Sequence, residues 1–468
     1  MSTISIKNLT FSYDGGDDLF HDLSLDIDTS WRLGFVGRNG RGKTTFFKLL
    51  CGELRFTGKI ISAVTFERFP FDVESKSANT ADIIQRISNA EDWRIERELN
   101  LLAANLGVLD RPLDTLSGGE QTKVLLAALF LKENNFLLLD EPTNHLDAFA
   151  KEQISEYLRG KSGYILISHD RDFLDRATDH TLALNKTGIE LQSGNFSAWF
   201  TNKQMRDEFE QNENAKLKKD IKRLSAAAKR TAEWSDQVEK SKHIKPSSGN
   251  SIDSGYVGHK SAKMMKRAKS LEQRQTAAAE QKSTLLKDVE RADDLIIRPL
   301  ASPQKVLLRL GSLEVNGGDR VLIEGANGSG KTTLIKQVIA EHTNLVISYV
   351  PQHTDGMSGS LKDFARHSSV DLTLFLTNLR QLDFPRELLQ NDIATFSEGQ
   401  KKKVLLAKSL SENAHLYVWD EPLNFIDIFS RQQLADVIVK FTPTMLLIEH
   451  DRAFGEQAAN KKYLVEKP

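Results

Sequence analysis

With a single cysteine, Cys51, in 468 residues, the chain can form no internal disulfide and no cysteine-built zinc site, which points to a reducing compartment. No uncharged apolar run approaches the roughly 20 residues that a membrane helix needs. The start, Met-Ser-Thr-Ile-Ser-Ile, lacks a basic segment followed by an apolar one. The expectation is a soluble, cytoplasmic protein. An excess of either charge is also missing, since 63 Lys+Arg stand against 64 Asp+Glu. With 40% apolar, 8% aromatic and 27% charged residues, wholesale disorder and a fibrous chain are excluded. The length suffices for two or three ordinary domains.

What is present is an internal repeat. Gly-Arg-Asn-Gly-Arg-Gly-Lys-Thr-Thr at 37–45 returns as Gly-Ala-Asn-Gly-Ser-Gly-Lys-Thr-Thr at 325–333. Leu-Ser-Gly-Gly-Glu-Gln at 116–121 returns as Phe-Ser-Glu-Gly-Gln at 396–400, Asp-Glu-Pro-Thr-Asn at 140–144 as Asp-Glu-Pro-Leu-Asn at 420–424, and Ile-Ser-His-Asp at 167–170 as Ile-Glu-His-Asp at 448–451. Four motifs in one order at a nearly constant spacing mean two copies of one domain, 1–200 and 295–468.

Between the copies, Lys203 to Lys242 and Lys260 to Asp294 contain no Pro or Gly, whereas Pro246 to Ser251 and Gly255 are loop signals. Residues 201–294 therefore read as a helical hairpin with its tip near 244–256. At 1.5 Å per residue its first helix reaches on the order of 60 Å, too long to pack wholly on one domain. From Lys216 to Arg274 there are 16 Lys+Arg and 6 Asp+Glu, so the balanced total hides a basic insert. Such an arm suits a polyanion. Lys260, Lys263, Lys266, Arg267 and Lys269 are its candidate phosphate contacts, and Met264 and Met265 read as hairpin packing.

The chemistry lies in the repeated motifs. Trp31 to Val36 and Asp319 to Glu324 are short apolar runs leading into Gly-x4-Gly-Lys-Thr and then a helical pattern, the order of a phosphate-binding loop. Gly37, Asn39, Gly40 and Gly42, with Gly325, Asn327, Gly328 and Gly330, would turn backbone N–H groups around the phosphates at a helix N-terminus. Lys43 and Lys331 would neutralise the β/γ region, and Thr44 and Thr332 would offer hydroxyls to Mg²⁺, followed by Thr45 and Thr333. Phe136 to Leu139 and Leu416 to Trp419 are apolar as a buried parallel strand is, and each ends in Asp-Glu. Asp140 and Asp420 would hold the metal, Glu141 and Glu421 would orient and deprotonate water, and His169 and His450 would meet the γ-phosphate.

These residues resemble the ATP-binding-cassette ATPases. The resemblance implies an α/β fold with two P-loop ATPase domains and a long helical linker, and the cofactors ATP and Mg²⁺. In that family a signature loop, here Ser117, Gly118 and Gly119 or Ser397 and Gly399, caps the nucleotide bound to the opposite cassette. Lys43, Asp140, Glu141 and His169 would then work with Ser397 and Gly399, and Lys331, Asp420, Glu421 and His450 with Ser117 and Gly119. Asp147 and Asp427 match the loop between the sites. Tyr13 matches the aromatic that stacks on adenine, and Gln352 the metal-side loop glutamine. The halves differ: Phe71 stands where Gln352 would, Glu398 where a signature glycine would, and no Phe, Trp or Tyr occurs from Val257 to Ser348.

Two cassettes joined by a basic hairpin, without a membrane span, resemble the ABC-F ATPases, and the segments around Gly258–Arg267 and Trp419–Asp427 look like the Vga- and Lsa-type resistance members. That resemblance implies a monomer that binds the E site of the bacterial 70S ribosome, meets 23S rRNA and P-site tRNA, and relieves peptidyl-transferase antibiotics of the lincosamide, pleuromutilin and streptogramin A type. Its alternatives are a housekeeping translation factor of the same family and the ATPase subunit of a drug exporter.

Overall fold

The computed structural model describes residues 2–465 except 14, 17, 144, 145, 147, 186, 187, 241–253, 285–294, 302, 303, 326 and 327. Its contacts divide the chain into one unit of Met1–Trp199 with Ala292–Pro468 and a second of Phe200–Arg291.

In the first unit the repeat becomes two sheets of the same strand order. The N-terminal copy runs Thr65–Phe69, Asn135–Asp140, Tyr164–Ile167, Arg32–Gly37, His180–Leu184, Ile189–Ser193, parallel but for the last pair. The C-terminal copy runs Ile347–Val350, Leu416–Asp420, Met445–Ile448, Arg320–Glu324, Lys461–Leu464, parallel throughout. The central strands are buried on both faces, which is why they read as unbroken apolar runs rather than alternating ones. Each copy also carries an antiparallel layer. It has three strands in the first half, Thr3–Ser12, Asp18–Asp28 and Thr57–Ile61, and two in the second, Val306–Leu310 and Leu313–Asn316. The antiparallel layer is thus smaller in the second half.

Helix starts follow local rules. Ser117 and Ser397 cap the helices Gly118–Leu131 and Glu398–Ser411 in full capping boxes with Glu120 and Gln400. Asp170 and Asp451 likewise accept from Phe173 N and Phe454 N, fixing the turn that follows each histidine.

The second unit is built from the helix Phe196–Lys240, whose first residues belong to the first unit, and from the helix Ser254–Thr284. Gly255, expected in a loop, lies in the first turn of the second helix, which also holds Gly258; each glycine costs only about 1 kcal/mol in a helix this long. Of the expected tip, 244–253 lie outside the described residues. Lys263, Lys266, Arg267 and Lys269 are exposed, and the Lys260 side chain is outside the described set. Met264 is half-buried but Met265 is 56% exposed, so only one of the two packs; neighbours on a helix point about 100° apart. Among the described residues no helix is long and apolar enough to cross a membrane.

Candidate functional site

Both phosphate-loop lysines start helices, Lys43–Leu50 and Lys331–Glu341, directly behind glycines in left-handed conformation, Gly42 at φ 99° and Gly330 at φ 91°. A Cβ at Gly40, Gly328 or Gly330 would meet nothing within 4 Å, so each loop borders open space of the kind a phosphate fills. Lys43 Nζ donates to Gly37 O at 2.7 Å and Arg38 O at 3.1 Å, and Lys331 Nζ donates to Gly325 O at 2.7 Å. Burial pushes both ammonium groups below the ordinary lysine range, opposed at Lys43 by Asp427 and Glu141 and at Lys331 by Glu421 and Asp420.

The first loop opens on a cavity of about 430 Å³ lined by Tyr13, Asn39, Gly40, Gly42, Lys43, Thr44 and Thr45, with Asp140, Glu141 and His169. Tyr13 stands edge-on to Phe11 at 5.0 Å, its hydroxyl 3.0 Å from Thr45 Oγ1, and its ring is 52% exposed. An exposed aromatic beside a phosphate loop offers a stacking face. A second cavity of about 600 Å³ brings Gly328, Gly330, Lys331, Thr332, Thr333, Gln352, Glu421 and His450 of the second half together with Asn39, Glu141 and His169 of the first. Gly37 and Gly325 serve through their carbonyls instead, and Asn327 and Asp147 lie outside the described residues.

Both glutamates sit just past strands in left-handed backbone, Glu141 at φ 51° and Glu421 at φ 46°, a costly conformation for a non-glycine residue and one that marks functional positions. Their surroundings differ. Glu141 Oε1 lies 3.4 Å from His169 Nε2 but receives no hydrogen bond, and burial pushes its carboxyl up to about 8. Burial, with Lys43 nearby, likewise pushes His169 well below its ordinary range. Glu421 faces His450 Nε2 at 3.6 Å and accepts from Asn424 Nδ2 at 3.0 Å; hydrogen bonding to His450, outweighing burial and helped by Asn424, holds it at about 2.

The metal-side carboxylates differ as well. Asp420 is fully buried and neither carboxylate oxygen receives a hydrogen bond; burial raises its pKa, and the Thr332 hydroxyl is close enough to favour the ionised form. Gln352 lines the adjoining cavity. An orphaned carboxylate, a hydroxyl and an amide oxygen suit a hard dication. Among the described residues no three His, Cys, Asp or Glu form a metal cage, so further ligands would be phosphate and water, as Mg²⁺ prefers. Asp140 Oδ2, by contrast, accepts from Thr44 Oγ1 at 3.2 Å and from Arg68 Nη2 at 3.1 Å.

The halves meet at these loops. Asn39 Nδ2 of the first phosphate loop donates to Phe425 O at 2.9 Å, and a Cβ on Gly399 would stand 2.8 Å from that same carbonyl. Gly399, Phe425 and the first phosphate loop are therefore consecutive layers. On the other side a Cβ on Gly119 would lie 3.5 Å from Leu146, which lines the larger cavity with the second phosphate loop. Ser117, Gly118, Gly119, Ser397 and Gly399 line neither cavity themselves. Asp427 is fully buried, 3.3 Å from Lys403; although burial pushes it up, Lys403 and Arg38 hold it well below the carboxylate range.

Four residues were missed by motif reading. Lys402 donates to Pro351 O at 2.7 Å and Gln352 O at 2.9 Å, clamping the glutamine loop, and burial pushes it down to about 8. Arg431 donates to Asp451 Oδ2 at 2.8 Å and to the carbonyls of Leu423 and Ile426. Glu449 accepts from His450 N at 2.7 Å, Asp451 N at 3.2 Å and Leu423 N at 3.3 Å, tying the histidine loop to the loop after Glu421. The fourth is Arg68. Laying the halves side by side would have flagged three of them: Arg431 stands where the first half has Lys151, Glu449 where it has Ser168, and Arg68 where the second half has Tyr349.

A family model described as ABC transporter matches residues 20–144 and 338–424. The ATP-binding protein Uup of Caulobacter vibrioides is 28% identical over 98% of this chain and 76% of its own length. The ribosome protection protein VmlR of Bacillus subtilis is 26% identical over 97% of this chain and 85% of its own. Among solved structures, the complex of archaeal ribosomal stalk protein aP1 and ribosome recycling factor aABCE1 covers 98% of this chain and 87% of the matched chain, at 18% identity and TM-score 0.61. That likeness speaks for the fold.

Proposed function

We propose that this chain is an ATP-binding-cassette ATPase of the ABC-F type that spends ATP on the bacterial ribosome, protecting it from peptidyl-transferase antibiotics. The observation that carries the reading is the +10 segment Lys216–Arg274 between two ATPase cassettes, with Lys263, Lys266, Arg267 and Lys269 exposed on its second helix. A polybasic arm binds RNA phosphates through charge and counterion release. VmlR, a ribosome protection protein aligned with 97% of this chain, supports the partner and the purpose.

At each site the loop amides and lysine bind the phosphates, and Tyr13 stacks on the base at the first. Thr332, Gln352 and Asp420 would hold Mg²⁺ at the second site, where the ion would supply positive charge to neutralise the phosphates. Glu421, held ionised, orients and deprotonates the attacking water, and His450 keeps that carboxylate in place and meets the γ-phosphate. Glu141 and His169 stand at the matching positions of the first site, where burial keeps the Glu141 carboxyl largely protonated at pH 7. Ser397 and Gly399 close on the first nucleotide, and Ser117 and Gly119 on the second. ATP thus favours the closed, ribosome-bound chain, and hydrolysis sets how long it stays in the E site beside P-site tRNA.

The test is co-sedimentation with bacterial ribosomes of the Glu141→Gln, Glu421→Gln double variant. With ATP it should pellet at moderate salt, while nucleotide-free protein stays in solution; equal pelleting in both would overturn the reading. A general translation factor of the same family would pellet identically, since the basic arm favours both, but its expression would leave drug susceptibility unchanged.

A further inference from the structure

The two halves place different residues beside their metal-side carboxylates. Arg68-Phe-Pro-Phe71 and Tyr349-Val-Pro-Gln352 are matched segments at the ends of the edge strands Thr65–Phe69 and Ile347–Val350. Arg68 pairs in register with Leu138, and Tyr349 with Val418, each two residues before the strand-ending aspartate. Arg68 and Tyr349 therefore hold equivalent positions next to Asp140 and Asp420.

At the first site the guanidinium Nη2 donates to Asp140 Oδ2, the oxygen that also receives the Thr44 hydroxyl. Arg68 Nε is buried without a hydrogen-bond partner. A buried guanidinium nitrogen left unpaired is costly, so the ion pair with Asp140 is the interaction that holds the side chain there. The loop position that could add an amide oxygen is Phe71. At the second site the matched side chain is a phenol, Gln352 is present, and both oxygens of Asp420 are buried without a hydrogen-bond partner.

We infer that Arg68 is a built-in cation of the first ATP site, so that this site holds ATP without Mg²⁺ while the second depends on it. A dication entering between Thr44 and Asp140 would meet a like charge and would have to break a charge-assisted hydrogen bond, with no glutamine to compensate. Lys43 and the loop amides still bind the phosphates there. The first cassette becomes a nucleotide-holding site and the second a metal-dependent, hydrolysing one. This inference rests on the two-site reading above.

The experiment counts ligands, not turnover. The Glu141→Gln, Glu421→Gln chain is stripped with chelator, equilibrated with ATP and Mn²⁺, desalted, and assayed for bound nucleotide and, by electron paramagnetic resonance, for bound Mn²⁺. Two ATP and one Mn²⁺ per chain are expected, with one ATP retained when chelator is present throughout. Adding Arg68→Tyr should bring a second Mn²⁺, its affinity at that site rising on the order of tenfold or more, and make both nucleotides chelator-sensitive. Arg68→Lys, which keeps the charge, should leave one. Two Mn²⁺ with Arg68 in place, or loss of both nucleotides to chelator, overturns the assignment while leaving the two-site reading intact. A chain that binds no ATP overturns both. The count with Arg68 present decides by itself, whether or not a variant at position 68 folds.

Discussion

Replacing the two matched glutamates by glutamine should change stability in opposite directions. Both side chains are 18% exposed, yet burial pushes Glu141 up to about 8, whereas hydrogen bonding to His450 and Asn424 holds Glu421 at about 2. A carboxyl raised from 4.5 is penalised for ionising in the folded state, and at pH 7 the penalty amounts to roughly 3 kcal/mol at most. One lowered to about 2 contributes a similar amount, of the order of 3 kcal/mol, at every pH above 4.5, and loses it only as pH falls from 4.5 through 2. In urea unfolding without nucleotide at pH 7, Glu141→Gln should therefore gain up to about 3 kcal/mol and Glu421→Gln should lose up to about that much. At pH 5 the gain at Glu141 shrinks below about 1 kcal/mol while the loss at Glu421 is unchanged. Effects of the same sign, or a Glu141→Gln gain that persists at pH 5, would refute this account of the two sites.

Two further outcomes follow from packing. Gly399→Ala places a Cβ 2.8 Å from the Phe425 carbonyl, whereas Gly119→Ala meets only Leu146 at 3.5 Å. The first should cost about 1–3 kcal/mol and the second under about 0.5 kcal/mol, read by thermal unfolding; equal costs would contradict the layering of Gly399, Phe425 and the first phosphate loop. Lys402 clamps two carbonyls of the glutamine loop with an ammonium held at about 8. It is therefore charged at pH 7 and neutral by pH 9, and amide exchange at 352–354 should rise across that interval beyond its intrinsic rate. Lys402→Met should show the loosened loop at both pH values.

The repeat, the nucleotide loops, the strand-ending Asp-Glu pairs and the basic insert were legible in the residues themselves. Each depends on local order: a glycine pattern before a helix, an apolar run before a carboxylate, lysine- and arginine-rich stretches without Pro or Gly. The twin sheets follow from those same local rules. Departures between the halves could also be seen as letters, Phe71 against Gln352 and Ser168 against Glu449, but not what they do.

Only tertiary structure decided that Arg68 reaches Asp140 on the neighbouring strand, that Glu449 joins the loops of Leu423 and His450, and that Asn39 of one half meets Phe425 of the other. Those contacts join positions far apart in the chain, and no spacing rule encodes them. The same limit applies to protonation. Glu141 and Glu421 carry the same letter in the same motif, and the sequence makes them equivalent. What separates them is the free energy of a charge in its surroundings, which depends on burial and on the hydrogen-bond donors that folding brings within reach.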